Sequence, residues 1–227
     1  MKKVLIIVTG LAFGSAAFGT WVYEGQWGSR GAGNGQFDSP HGVAVVPSGN
    51  VYVADDSNNR IQYFTAAGSY LGQWGTYGSG NGEFYHPRDV AVAPSSGNIY
   101  VADTGNDRIQ YFTATGSYLG KWGSQGSGNG EFNAPWGVAV AASNGDVYVS
   151  DLANHRIQYF TAAGSYLGKW GSLGSGNGEF NSPIGLCLNV TGSRVYVADN
   201  TNYRIQYFNG NPAVVPASLG RVKALFK

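Results

Sequence analysis

The pentapeptide Arg-Ile-Gln-Tyr-Phe occurs four times in this chain, starting at Arg60, Arg108, Arg156 and Arg204, at a constant interval of 48 residues. Other markers keep step with it. A Trp-Gly pair recurs at Trp27, Trp74, Trp122 and Trp170, and a G-N-G-[QE]-F segment ends at Phe37, Phe84, Phe132 and Phe180. A proline follows each time, at Pro40, Pro87, Pro135 and Pro183. Such a chain must be built from copies of one supersecondary unit, and a period near 48 suits a four-stranded propeller blade. In the second copy the spacing predicts strands at Asp89–Val92, Asn98–Ala102, Arg108–Phe112 and Ser117–Trp122, with turn-forming residues between them. No 3.6-residue apolar stripe persists and glycine breaks every stretch, so the expected class is all-β.

Side-chain size along the unit agrees with blades that converge on an axis. The first strand carries Ala44, Ala91, Ala139 and Cys187 at equivalent positions, while Trp, Tyr and Phe fill the third and fourth strands. Cys187 therefore reads as a small buried hydrophobe. As the single cysteine it excludes an intrachain disulfide framework and a multi-cysteine zinc site. The 36 glycines among 227 residues serve turns, since no collagen-like period accompanies them. A formal net charge of +1 argues against a surface made to neutralise phosphates, so no nucleic-acid partner is expected.

The unit P-x-G-V-A-V-x-x-x-G-N-V-Y-V-A-D-x-x-N-x-R-I-Q-Y-F-x-x-x-G-x-Y-L-G-x-W-G resembles the NHL repeat. Residues 40–75 carry it in full, 87–123 and 135–171 repeat it, and 183–208 hold its first three strands. The resemblance implies a β-propeller, a fold this family usually builds with six blades. It also implies a choice among lyases acting on peptidyl-hydroxyglycine, RNA-binding modules and extracellular recognition domains.

Strand counting suggests four blades. Residues 21–28 read as a fourth strand with no first three before it, and nothing like Y-L-G-x-W-G follows Phe208. Pairing the N-terminal strand with the last three would close a ring of four four-stranded blades within one chain and cover both open edges. On that reading the protein is a monomer; an open arc would need another chain, making it an oligomer.

Candidate sites separate into repeated and varied positions. Asp55, Asp103, Asp151 and Asp199 open loops that also repeat Asn58, Asn106, Asn154 and Asn202 before the repeated arginines. Asx turns, with an arginine holding loop carbonyls, account for these as scaffold; calcium binding is the alternative, without an EF-hand spacing. Residues 60–84 and 156–180 differ at only three positions, so places where copies diverge stand out. After the proline stand His41, Arg88, Trp136 and Ile184; before the repeated arginine stand Asn59, Asp107, His155 and Tyr203. After the repeated aspartate stand Asp56, Thr104, Leu152 and Asn200. In an up-and-down blade the start of the inner strand and the second-to-third loop reach the same face, so these positions are the candidate ligand-binding face. His41, His86 and His155 occupy three different repeat positions and form no H-E-x-x-H pair, and no G-x-S-x-G elbow exists. No catalytic residue, metal ligand or cofactor is assigned.

The ends depart from the repeat. Met1-Lys2-Lys3 followed by the apolar run Val4–Phe13 and small residues to Gly19 reads as an export signal over 1–19. That leaves a propeller over 20–212, a tail of undecided role over 213–227, and no membrane attachment after cleavage. The expected function is that of a secreted or periplasmic, non-enzymatic scaffold binding a protein, peptide or glycan through one loop face. A periplasmic metal-dependent lyase or hydrolase and a structural envelope or filament component are the alternatives.

Overall fold

A computed structural model describes residues 22–210. The export segment 1–19 and the tail 213–227 lie outside them. Fifteen strands form four antiparallel sheets in chain order. Blade 1 comprises β1 (Pro40–Val45), β2 (Val51–Asp55), β3 (Arg60–Phe64) and β4 (Tyr70–Trp74). Blade 2 comprises β5 (Pro87–Val92), β6 (Ile99–Asp103), β7 (Arg108–Phe112) and β8 (Tyr118–Trp122). Blade 3 comprises β9 (Pro135–Val140), β10 (Val147–Asp151), β11 (Arg156–Phe160) and β12 (Tyr166–Trp170). Blade 4 comprises β13 (Pro183–Leu188), β14 (Arg194–Asp199) and β15 (Arg204–Asn209). Each strand expected in the second copy is found, with bounds shifted by at most two residues. The described helical content is two three-residue 3-10 turns, at Thr104–Asn106 and Leu152–Asn154.

Aromatic side chains join one blade to the next. Tyr100 stacks on Tyr111 across β6 and β7 with ring centroids 5.5 Å apart, and its hydroxyl donates to the Ala162 carbonyl of blade 3 at 3.0 Å. Trp122, at the end of β8, leans on Phe160 of blade 3 at 5.5 Å, as Trp74 leans on Phe112 and Trp170 on Phe208. Gly116, at φ +89°, turns beneath Trp74, where any Cβ would lie 2.7 Å from the indole ring. A glycine is needed there for both reasons.

The repeated polar residues are scaffold, as expected. In blade 2 the buried Arg108 donates from Nε to Asp103 at 2.6 Å, from Nη1 to the Ser79 carbonyl at 2.6 Å, and from Nη2 to Gly80 and Glu83 at 2.8 and 2.9 Å. Gln110 donates to the Glu83 carbonyl and accepts from the Gly82 amide, and Asn106 donates to the Gly78 carbonyl. One buried charge pair thus clamps the glycine-rich linker that precedes its own blade. The other three blades repeat the clamp through Arg60, Arg156 and Arg204.

The expected pairing of the N-terminal strand with the last blade is not seen among the described residues. Residues 22–28 pair with no strand, with Val22 and Tyr23 exposed, and β15 pairs only with β14. Trp27 instead sits 5.9 Å from Phe64, placing it ahead of blade 1 as Trp74 stands ahead of blade 2. Cys187, expected to be buried, is exposed. The inner-strand position it shares with Ala91 is covered when another blade follows, and among the described residues none follows blade 4.

Candidate ligand-binding face

The second residues of β1, β5 and β9, which are His41, Arg88 and Trp136, meet on one face. Arg88 Nη1 donates to His41 Nε2 at 2.9 Å, and its guanidinium lies over the Trp136 ring at 4.5 Å. His41 presents its edge to the same indole at 6.1 Å. Because an arginine can only donate, Nε2 of His41 is the acceptor, and its Nδ1–H is left to donate to the Ser39 carbonyl at 2.8 Å. Three successive blades therefore each contribute one side chain to a single cation–π assembly.

Beneath it lies one carboxylate. Asp56, in the loop after β2, is 3% exposed; its oxygens stand 2.6 Å from His86 Nδ1, 3.3 Å from Arg88 Nη1 and 3.4 Å from His41 Nδ1. A buried carboxylate with a paired arginine fixes the guanidinium in place for stacking. Arg88 Nε is buried without a hydrogen-bond partner. The starts of β1 and β5 and the loop after β2 meet here, where His41, Arg88 and Asp56 touch. Two of the three histidines, His41 and His86, gather on Asp56 although they occupy different repeat positions, whereas His155 lies at another joint.

Asp89 adjoins this cluster. Blade 2 places it where the other three blades have Gly42, Gly137 and Gly185. Its carboxylate accepts from its neighbour Val90 N and from Val138 N of blade 3, both at 2.9 Å, and it packs against Gly42 of blade 1, where a Cβ would collide with it. Burial pushes its pKa up to about 6, against the pull of the two amides.

The remaining varied positions have other surroundings. Asn59, Asp107 and His155, all at positive φ, accept the backbone N–H of His86, Ala134 and Ser182 in the following blade. Their side chains are engaged at blade joints. Tyr203, at the equivalent place in the last blade, is 94% exposed and lines a shallow groove with Ile184, apart from Trp136. Thr104 donates to the Pro135 carbonyl at 2.6 Å. Among the described residues no three His, Cys, Asp or Glu side chains come together in an arrangement that could hold a metal ion. The scaffold acids are held by their clamps. Burial raises the pKa of Asp103 and Asp151, whereas in the less covered last blade the hydrogen bonds from Asn181 N, Asn202 and Arg204 outweigh burial and lower that of Asp199.

The NHL repeat profile matches residues 37–64, 84–112, 132–160 and 180–208, one match per blade and about half of the chain. The chain belongs to the NHL repeat family. A 49-residue stretch of this NHL-repeat chain is 43% identical to the B-box type zinc finger protein ncl-1 of Caenorhabditis elegans, covering 22% of this chain and 6% of that protein. Another of 45 residues is 49% identical to the E3 ubiquitin-protein ligase TRIM71 of Rattus norvegicus, covering 20% and 5%. The matched segments thus span about a twentieth of these relatives. Among solved structures, a streptogramin B lyase superposes with a TM-score of 0.55 at 17% identity, over 75% of this chain and 54% of that one. A nidogen/laminin complex gives 0.59 at 18%, over 77% and 61%. These likenesses bear on the fold.

Proposed function

We propose that this NHL-repeat protein is a non-enzymatic scaffold, acting outside the cytoplasm, that binds a protein or peptide on the axial face formed by His41, Arg88 and Trp136. The observation that carries this reading is the stacking of Arg88 over Trp136 at 4.5 Å, fixed from below by buried Asp56. The three residues stand at one repeat position, where near-identical copies differ. Aromatic and arginine anchors with a rigid footing are the groups that dominate protein recognition. The scaffold beneath is constant, so the variation falls on the surface that a partner would touch.

The test is selection from a displayed peptide library on the purified protein, followed by affinity measurements on variants. Trp136→Ala and Arg88→Ala should each weaken a selected peptide at least about 30-fold, the scale of an interface anchor worth ~2 kcal/mol. Tyr203→Ala, outside the cluster, should leave affinity unchanged. Equal loss in all three variants, or binding untouched by Trp136→Ala, would refute the assignment.

A further inference from the structure

The two ends of the arc are the two halves of one joint. At the internal joints each blade's outgoing face is sealed by its successor: Ile61, Ile109 and Ile157 are 0% exposed, but the equivalent Ile205 is 64% exposed. On the incoming side Val90 and Val138 are 3% exposed, but the equivalent Val43 is 64% exposed. Cys187, Tyr196, Ala198 and Ile205 line an open apolar groove on blade 4. Tyr52, Ala54 and Ile61 of blade 1, equivalent to the last three, pack into blade 2 in company with Ala44.

The strand inventory gives the same answer. Residues 23–28, Tyr-Glu-Gly-Gln-Trp-Gly, match the fourth-strand sequence Tyr-Leu-Gly-Gln-Trp-Gly at 70–75 in all but one position. Trp27 is already docked on blade 1, over Gly68 as Trp74 lies over Gly116. The segment thus stands in the place of a fourth strand, with no third strand beside it among the described residues. β15 repeats the Arg-Ile-Gln-Tyr-Phe third strand, with no fourth strand beside it among the described residues, and Trp170 is the last tryptophan of the sequence. The two ends do not meet within the arc, which superposes on about half of longer solved chains, 46 to 61% of their length.

We propose that the occupant of both ends is a second copy of this chain. Its segment 22–28 pairs with β15, its blade 1 covers Cys187, Tyr196, Ala198 and Ile205, and the reciprocal joint forms at the other end. Such a head-to-tail pair closes a ring of eight four-stranded blades, within the range that propellers adopt.

Light scattering on the size-separated protein should give a mass of two chains, and a one-chain mass at every concentration overturns the proposal. Val43→Lys and Ile205→Lys place a charge in opposite halves of the joint, at sites exposed in the single chain. Each alone should run as one chain, since each spoils both joints of its own pair. Mixed in equal amounts they should recover the two-chain mass, because one joint in the mixed pair is unaltered. A mixture that stays at one chain overturns the proposal. So does a wild-type monomer that pairs only after removal of 213–227, which would give the β15 edge to the tail.

Discussion

Asp89 makes stability depend on pH in a direction opposite to that of most carboxylates. In the fold its carboxyl titrates at about 6, against an ordinary value of 3.8, because burial beside Gly42 disfavours the charge. Between those values the folded state holds the proton and the unfolded chain releases it, so stability falls as pH rises through that window. With each pH unit of difference worth about 1.36 kcal/mol, the whole effect is about 3 kcal/mol, of which about 2.4 kcal/mol is lost between pH 4 and pH 7. Asp89→Asn removes the titration and adds a fixed penalty of about 1–3 kcal/mol, because an amide offers one acceptor where the two backbone amides use two oxygens. Urea unfolding followed by tryptophan fluorescence, at half-unit steps from pH 4 to 7, gives the free energy for both proteins. Asp103 and Asp151, raised by burial, and Asp199, lowered by its hydrogen bonds, titrate in both and cancel in the difference. The gap between wild type and variant should move by about 2.4 kcal/mol in favour of the variant as pH rises from 4 to 7. A gap that stays constant across the range refutes the burial argument.

Three further perturbations read the scaffold. Arg108→Ala leaves the buried Asp103 carboxylate without its partner and frees the linker carbonyls, so it should cost about 3–5 kcal/mol, measured by denaturant unfolding. Gly116→Ala puts a methyl group against the Trp74 ring at positive φ; the expected loss is about 2 kcal/mol or more, with a change in Trp74 emission. Tyr100→Phe deletes only the bond to the Ala162 carbonyl between blades 2 and 3, and should cost about 1 kcal/mol while leaving the aromatic stacking intact.

The period and the strand boundaries were legible because each blade folds largely on its own residues. Hydrophobic spacing, turn chemistry and the Asp-Asn-Arg loops are all local to one unit. What depends on two or three blades was harder to see. His41, His86 and Asp56 belong to different repeat positions and meet because one blade's loop leans over the next blade's first strand. Asn59, Asp107 and His155 vary between copies and yet share one task, accepting a backbone N–H across a joint; variation alone did not separate joint from surface. Asp89 carried a signal that could have been read, a single acid where three other copies keep glycine. Cys187 was misplaced because equivalence with Ala91 assumes an equivalent neighbour, and the end of an arc does not supply one.

The linker clamp has a consequence for how the molecule comes apart. Each arginine grips the stretch leading into its own blade, so a blade and its lead-in melt as one unit, and neighbours are coupled only through the Trp–Phe contacts and the shared joint. In the last blade the Arg204 side chain is 28% exposed, where Arg60, Arg108 and Arg156 are 7%, 6% and 6%. In a lone chain, amide exchange should therefore sweep inward from the C-terminal blade like a zipper with its stop removed, and blades 2 and 3 should surrender their protons last.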